Sequence, residues 1–165
     1  DMTLPEQERE RFCQVLHHSR TSLYRLAFSI TRNSSDAQEA VAEAVCRAYE
    51  RYPQLREKEK LPRWLLKITA NEARRLCQRR GRTVSLDDLP TEPAIPGRET
   101  GDDTLWQAVQ TLPRDQREAV VLFYYEDLPT EEIARIVGAA PGTVRVRLSP
   151  AREQLRKWLE VERDG

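Results

Sequence analysis

The sequence predicts an all-α protein made of two small helical domains. Apolar residues recur three and four positions apart along most of the chain, which is the spacing of one helix face. Strand-type runs of Val, Ile and Thr are nearly absent, and only six glycines occur among the 165 residues. Residues 84–101 break the pattern with prolines, glycines and acids, so we expect an acidic flexible linker there.

The first domain is predicted to span residues 1–83. FCQVLHHSRTSLYRLAFSITRN supplies either one long helix or two shorter ones. The next stretch, NSSDAQEAVAEAVCRAYERYPQL, has one apolar stripe of mostly small residues, with Ser35 as its expected N-cap. LPRWLLKITANEARRLCQRR gives a further helix, which Gly81 is expected to end.

The second domain is predicted to span residues 102–165. DTLWQAVQTL and PRDQREAVVLFYYED indicate two helices, the second with Phe123 and Tyr124 facing the core. LPTEEIARIVGAAPGTVRVRL then gives a short helix, a turn at Gly138 and a basic helix. This order has helix-turn-helix geometry, although a plain helical hairpin with a solvated basic face remains an alternative.

The basic helix divides its residues as a DNA recognition helix must. Val144 and Leu148 are expected to pack inward, which leaves Thr143, Arg145, Arg147 and Ser149 on or near the outward face. Pro150 falls inside the helix, where it removes a backbone hydrogen bond. We therefore expect a kinked helix, or one that restarts at Ser149.

A net charge of zero conceals a sorted arrangement of charges. Residues 63–82 carry seven Lys/Arg and one Glu, a net charge of +6, and residues 133–165 have a net charge of +3. Between them, residues 83–132 carry twelve Asp/Glu and three Lys/Arg, a net charge of −9. Separate basic segments favour contact with a polyanion, and nucleic acid is the first candidate.

Several classes of protein are not expected. No stretch is apolar for the roughly 18 residues that a membrane span needs, and no secretory signal is expected. Three distant cysteines argue for a reducing compartment and against disulfides. Catalytic motifs such as GxSxG, a P-loop or HExxH are absent, and no cofactor or metal site is predicted.

Three motifs in this order resemble the extracytoplasmic-function (ECF) sigma factors, a class of bacterial transcription initiation factors within the sigma-70 superfamily. DAQEAVAEAVCRAYERY resembles their core-binding helix, and LPRWLLKITANEARRLCQRR resembles the helix that meets the minus-ten element. LPTEEIARIVGAAPGTVRVRLSPAREQLRKWL resembles the region 4 helix-turn-helix that reads the minus-thirty-five element. The chain departs from the family's pattern at Ala42, Val45, Val146 and Pro150.

The resemblance implies a function and a set of contacts. The first domain would correspond to region 2 and bind RNA polymerase core through an acidic helix face: Asp36, Glu39, Glu43 and Arg47. It would hold the opened minus-ten strand through a basic loop and helix: Lys58, Lys60, Arg63, Lys67, Asn71, Arg74, Arg75 and Arg79. The second domain would read the minus-thirty-five duplex through the recognition helix: Thr143, Arg145, Arg147, Ser149 and Arg152.

The family implies three partners: the beta and beta-prime subunits of core polymerase, promoter DNA, and an anti-sigma factor, itself membrane-linked. It implies no enzymatic activity, a cytoplasmic location, no membrane insertion and a role in stress responses. Two other interpretations compete with this one. The chain is alternatively a helix-turn-helix regulator that never binds core polymerase, or a helical module that binds acidic proteins.

Overall fold

The computed structural model describes residues 4–81 and 103–164, and every regular element within these ranges is a helix. The first domain contains α1 (Glu6–Thr31), α2 (Ser34–Arg51) and α3 (Leu61–Arg80). The second contains α4 (Asp103–Gln110), α5 (Arg114–Val120), a π-helical turn (Val121–Tyr125), α6 (Thr130–Val137) and α7 (Pro141–Asp164). The predicted all-α class is confirmed, while the predicted linker, 84–101, lies outside the described residues.

Small residues let the three helices of the first domain approach closely. The predicted stripe of α2 is buried through its alanines, including Ala37, Ala44 and Ala48, because a methyl side chain lets the helix backbones come near. At the far end of the stripe, Phe12 of α1 packs its ring edge-on against Tyr52, with centroids 5.3 Å apart. The stripe therefore orients α2 with its charged side toward solvent.

The ends of these helices agree only partly with the sequence prediction. Gly81 ends α3 in the left-handed conformation at φ 59°, as predicted. The predicted N-cap Ser35 is wrong, because Asn33 caps α2 by accepting a hydrogen bond from the backbone N–H of Asp36 at 2.9 Å. The upstream segment forms one long helix, α1, instead of two shorter ones.

The π-helical turn after α5 changes which side chains face the core. Leu122 is buried, whereas Tyr124, which was expected to point inward, is 46% exposed. A π turn takes more residues per revolution than an α-helix, so the side chains within it leave the 3.6-residue stripe. The prediction of an inward Tyr124 is therefore wrong, and Phe123 is only half-buried.

The helix-turn-helix forms as expected around a glycine. Gly138 adopts φ 73° and donates its backbone N–H to the carbonyl of Ala134 at 2.9 Å, which ends α6 and redirects the chain into α7. Val144 and Leu148 are buried on the inner side of α7, as predicted. The helix continues without interruption through Pro150, so the expected restart at Ser149 does not occur.

The two domains contact each other through a buried arginine. Arg117 of α5 donates from Nε to the carbonyl oxygen of Ser29 at 2.8 Å, and from Nη1 to that of Leu112 at 2.9 Å. Burial lowers the pKa of Arg117 to about 10, with nearby arginines adding to the effect. Beside this contact, the rings of Phe28 and Trp106 lie 6.2 Å apart. The second domain thus packs on the C-terminal end of α1.

Candidate nucleic-acid interface

The outward face of α7 is solvent-exposed and combines polar, basic and apolar residues. Thr143, Arg145, Ser149 and Arg152 are all exposed, and Arg147 is half-buried. Val146 lies among them with 70% of its surface exposed. The structure thus brings the predicted minus-thirty-five residues onto one helix, where a single docking event would engage them together.

One edge of this face carries a ridge of arginines. Arg145, Arg152 and Arg156 follow one another at intervals of seven and four residues, so they share one side of α7. The guanidinium of Arg152 stands 5.1 Å from the centroid of the Phe123 ring, which holds it in place by a cation–π contact. The sequence prediction missed Arg156, although its spacing from Arg145 and Arg152 was a readable signal.

The basic residues of α3 divide into two groups. Lys67, Arg75 and Arg79 are exposed to solvent and make no ion pair with the second domain among the described residues, although Arg75 pairs with Glu72 of its own helix at 3.0 Å. By contrast, Arg63 lies 3.3 Å from Glu132 of α6, and Arg74 lies 3.3 Å from Glu118 of α5. These ion pairs join residues predicted to contact the minus-ten strand to acids of the second domain. Sequence reasoning did not find them, since the partners are 69 and 44 positions apart.

Tyr52 and Glu57 engage the two lysines before α3. Lys58 donates to the backbone carbonyl of Tyr52 and lies 4.0 Å from the centroid of its ring. Lys60 pairs with Glu57 at 2.6 Å and remains largely exposed. Of these two lysines, Lys60 is therefore the more accessible to a ligand, while Lys58 stabilises the chain reversal between α2 and α3.

The predicted core-binding residues differ in exposure. Glu39 and Glu43 of α2 are each about half exposed, whereas Asp36 is buried. Arg80 pairs with both Asp36 and Glu39, the latter at 2.6 Å. Arg47 bridges Glu43 at 3.3 Å and the buried Glu72 of α3 at 3.2 Å. The accessible part of this face is the ridge of Glu39 and Glu43.

The acidic face and the basic helix meet in one shallow pocket. Glu39, Glu43 and Arg47 of α2 line it together with Arg75 and Arg79 of α3. The structure therefore places two residues of the predicted minus-ten set beside the predicted core-binding set. Among residues 4–81 and 103–164, no helix is both long and apolar enough to cross a membrane.

Comparisons with known proteins assign both domains. The family model described as Sigma-70 region 2 matches residues 15–83, and the model described as Sigma-70, region 4 matches residues 102–155. RNA polymerase sigma factor SigV of Bacillus subtilis is 33% identical over 141 residues, which cover 84% of this chain and 85% of SigV. ECF RNA polymerase sigma factor SigE of Mycolicibacterium smegmatis is 32% identical over 148 residues, covering 83% of this chain and 57% of SigE.

A solved structure has the same architecture. The sigma factor RpoE of Bartonella quintana, in complex with the anti-sigma factor NepR, superimposes with a TM-score of 0.73 at 26% sequence identity. The match covers 91% of this chain and 97% of RpoE. The chain belongs to the sigma-70 family of RNA polymerase sigma factors. Its matches place it in the extracytoplasmic-function group, whose members initiate transcription without catalysing covalent chemistry themselves.

Proposed function

We propose that this chain directs RNA polymerase core to specific promoters and favours melting of the minus-ten element. The observation that carries the proposal is the presence of both sigma regions on one chain, with an exposed recognition face on α7. We place region 2 at 1–83, the linker at 84–101 and region 4 at 102–165. The protein would act in the cytoplasm, where core polymerase and DNA are found.

In the second domain, α7 would enter the major groove of the minus-thirty-five element. Its N-terminal residues Thr143, Val146 and Ser149 would face base edges, while the ridge of Arg145, Arg152 and Arg156 would contact phosphates along one wall. Arg147, on the other side of the helix, would reach the opposite wall. This arrangement separates groups that position the helix from groups that read sequence.

In the first domain, α3 would hold the opened minus-ten strand. Lys67 and Arg79 are exposed and available to backbone phosphates, and the exposed Arg75 would share its charge between phosphate and Glu72. Lys60 would lie beside an unstacked base. Arg63 and Arg74 would first have to exchange Glu132 and Glu118 for phosphate. DNA binding through these two arginines therefore competes with the contacts between the domains. Asn71, exposed next to Arg74, would add a neutral hydrogen-bonding group.

Core polymerase would bind the half-exposed ridge of Glu39 and Glu43. Two half-exposed carboxylates one helical turn apart complement a basic surface. Arg80 pairs with Glu39 at 2.6 Å and Arg47 pairs with Glu43 at 3.3 Å, so both carboxylates are held in position on this face. An anti-sigma factor would regulate the protein by covering these surfaces. That partner is supported by the similarity to RpoE of Bartonella quintana, whose structure contains the anti-sigma factor NepR.

Reconstituted transcription tests the proposed function. Core polymerase and this chain are combined with a pool of linear templates that carry randomised promoter regions, and run-off transcripts are sequenced. We expect transcripts from a restricted set of promoters only when the chain is present. Core polymerase that yields the same products with and without the chain would favour a regulator that does not bind core.

Co-purification tests the core-binding ridge separately. The variants Glu39→Lys and Glu43→Lys should each retain less core polymerase than the wild type, because a repelling charge replaces an attracting one. Glu10→Lys, an exposed change of the same kind on α1, is the matched control and should retain wild-type binding. Equal retention by all three variants would exclude this ridge as the core contact.

A further inference from the structure

Val146 is the most exposed of the large apolar residues that the structure describes. It is 70% exposed, compared with 46% for Tyr124 and 37% for Leu159. Its helix position explains the exposure. Successive residues turn by about 100°, so Val146 points about 160° away from both the buried Val144 and the buried Leu148, which lie two residues to either side. Val146 therefore lies at the centre of the outward face.

The neighbours of Val146 on this face are small. Gly142, one turn earlier, has no side chain, and Ser149, almost one turn later, has a short one. A Cβ placed on Gly142 would meet no atom nearer than Nη2 of Arg145 at 3.9 Å, so packing within the protein does not require a glycine there. Because these neighbours are small, the Val146 side chain projects beyond them, and a flat partner surface can reach it.

A valine in this position has a specific disadvantage without a partner. Its β-branched side chain lowers helix propensity, and its apolar surface is left in water. The flanking arginines, Arg145 and Arg147, would bring a polyanion against the same face. In the major groove, the C5-methyl of thymine is the apolar group that a base pair presents, while the other edge groups are hydrogen-bond donors or acceptors.

We propose that Val146 determines promoter specificity by contacting the C5-methyl group of a thymine in the minus-thirty-five element. This inference rests on the proposed function, since it assumes that α7 docks in the major groove. Valine offers no donor or acceptor, so a polar base edge placed against it would lose water without gaining a hydrogen bond. Thymine avoids this desolvation cost, because its methyl group and the valine methyl groups shield each other from water.

Replacing thymine by deoxyuridine tests the contact, because it removes the methyl group and leaves base pairing unchanged. Holoenzyme made with core polymerase and this chain first selects duplexes from a pool with randomised promoter regions. We expect one minus-thirty-five thymine whose replacement by deoxyuridine weakens binding about fourfold, the factor expected for one buried methyl-sized group. Val146→Ser holoenzyme should bind the thymine duplex about fourfold more weakly than wild-type holoenzyme does. Replacing that thymine by deoxyuridine should then cause no further loss of binding.

Leu159→Ser is the matched control, since it removes an exposed apolar side chain more than three turns further along α7. This variant should keep the full preference for thymine over deoxyuridine. The inference is overturned if no selected thymine responds to deoxyuridine, or if wild-type and Val146→Ser holoenzymes respond equally. Failure of the proposed function looks different, because holoenzyme would then enrich no sequence from the pool beyond what core polymerase enriches alone.

Discussion

Arg74 of α3 places its Nη2 atom 3.3 Å from both carboxylate oxygens of Glu118 in α5, and this ion pair joins the two domains. The side chain of Glu118 is only 4% exposed. Burial raises the pKa of the Glu118 carboxyl above its ordinary value of 4.5, and the attraction of Arg74 opposes that shift without cancelling it. The contact between domains therefore includes a carboxylate whose ionisation costs stability.

The raised pKa of Glu118 predicts a pH-dependent effect of Glu118→Gln. The folded protein binds the Glu118 proton more tightly than the unfolded chain, so this residue's contribution to stability falls as pH rises above 4.5. Glutamine does not titrate, so the unfolding free energy of the wild type relative to the variant should decrease between pH 4.5 and pH 7. Urea unfolding followed by circular dichroism measures it. The exposed control Glu131→Gln should not reproduce this trend, and parallel curves for wild type and Glu118→Gln would contradict the prediction.

The pair between Arg63 and Glu132 predicts competition between the second domain and DNA. Nη1 of Arg63 lies 3.3 Å from Oε1 of Glu132, with the arginine side chain about half exposed. A partly exposed pair contributes under about 1 kcal/mol, so Glu132→Gln should raise affinity for single-stranded DNA by up to about fivefold. Fluorescence anisotropy with a labelled oligonucleotide measures the change.

Glu131→Gln serves as the matched control for this competition. It removes the same charge one residue away, at an exposed position. If the Arg63 pair matters, the gain from Glu132→Gln should exceed that from Glu131→Gln and should shrink as salt increases. It should also disappear when Arg63 is changed to Gln, which separates release of Arg63 from release of Arg135, the other partner of Glu132 at 3.0 Å. Equal gains would show that only the overall charge of α6 affects DNA binding.

The buried Arg117 predicts a large loss of stability on substitution. In Arg117→Met, the volume is nearly kept, but the carbonyls of Ser29 and Leu112 lose their donors. Two buried acceptors without partners should cost about 3 kcal/mol in the free energy of unfolding. Denaturant unfolding measures the loss. Arg114→Met, at an exposed position on the same helix, should change stability by no more than about 0.5 kcal/mol, and a similar loss in both variants would argue against the carbonyl contacts.

The sequence predicted the elements whose causes are local. The alanine stripe of α2 repeats at helical spacing, and the left-handed conformation of Gly138 follows from its place between two helical patterns. Both depend on residues within a few positions of one another. The helix-turn-helix and the exposure of Thr143, Arg145 and Ser149 could be predicted for the same reason.

The features that the sequence did not reveal depend on distant residues or on a change of period. Tyr124 left the predicted inward stripe because a π turn adds residues to one revolution, and no composition signal marks such a turn. The pairing of Arg63 with Glu132 depends on how α3 meets α6, which local periodicity does not fix. The separate basic and acidic segments indicated that the basic residues would attract a polyanion. They did not show that some of these basic residues pair with acidic residues of the same chain.

We predict that replacing Pro150 stabilises the protein. The residue lies inside α7 and has no backbone N–H to donate to the carbonyl of Val146. Pro150→Ala supplies that donor and removes the clash between the ring and the preceding turn. A more flexible unfolded chain offsets part of the gain. We expect the free energy of unfolding to rise by about 2 kcal/mol, measured by urea unfolding at neutral pH.

Pro141→Ala distinguishes this effect from a general consequence of losing a proline. Pro141 is the first residue of α7, where an N–H has no intrahelical partner and where the fixed φ of proline favours the helix. Its replacement should therefore lower stability slightly, by about 0.5 kcal/mol. A gain in both variants, or a loss in both, would show that the missing hydrogen bond at Pro150 is not what limits the stability of α7.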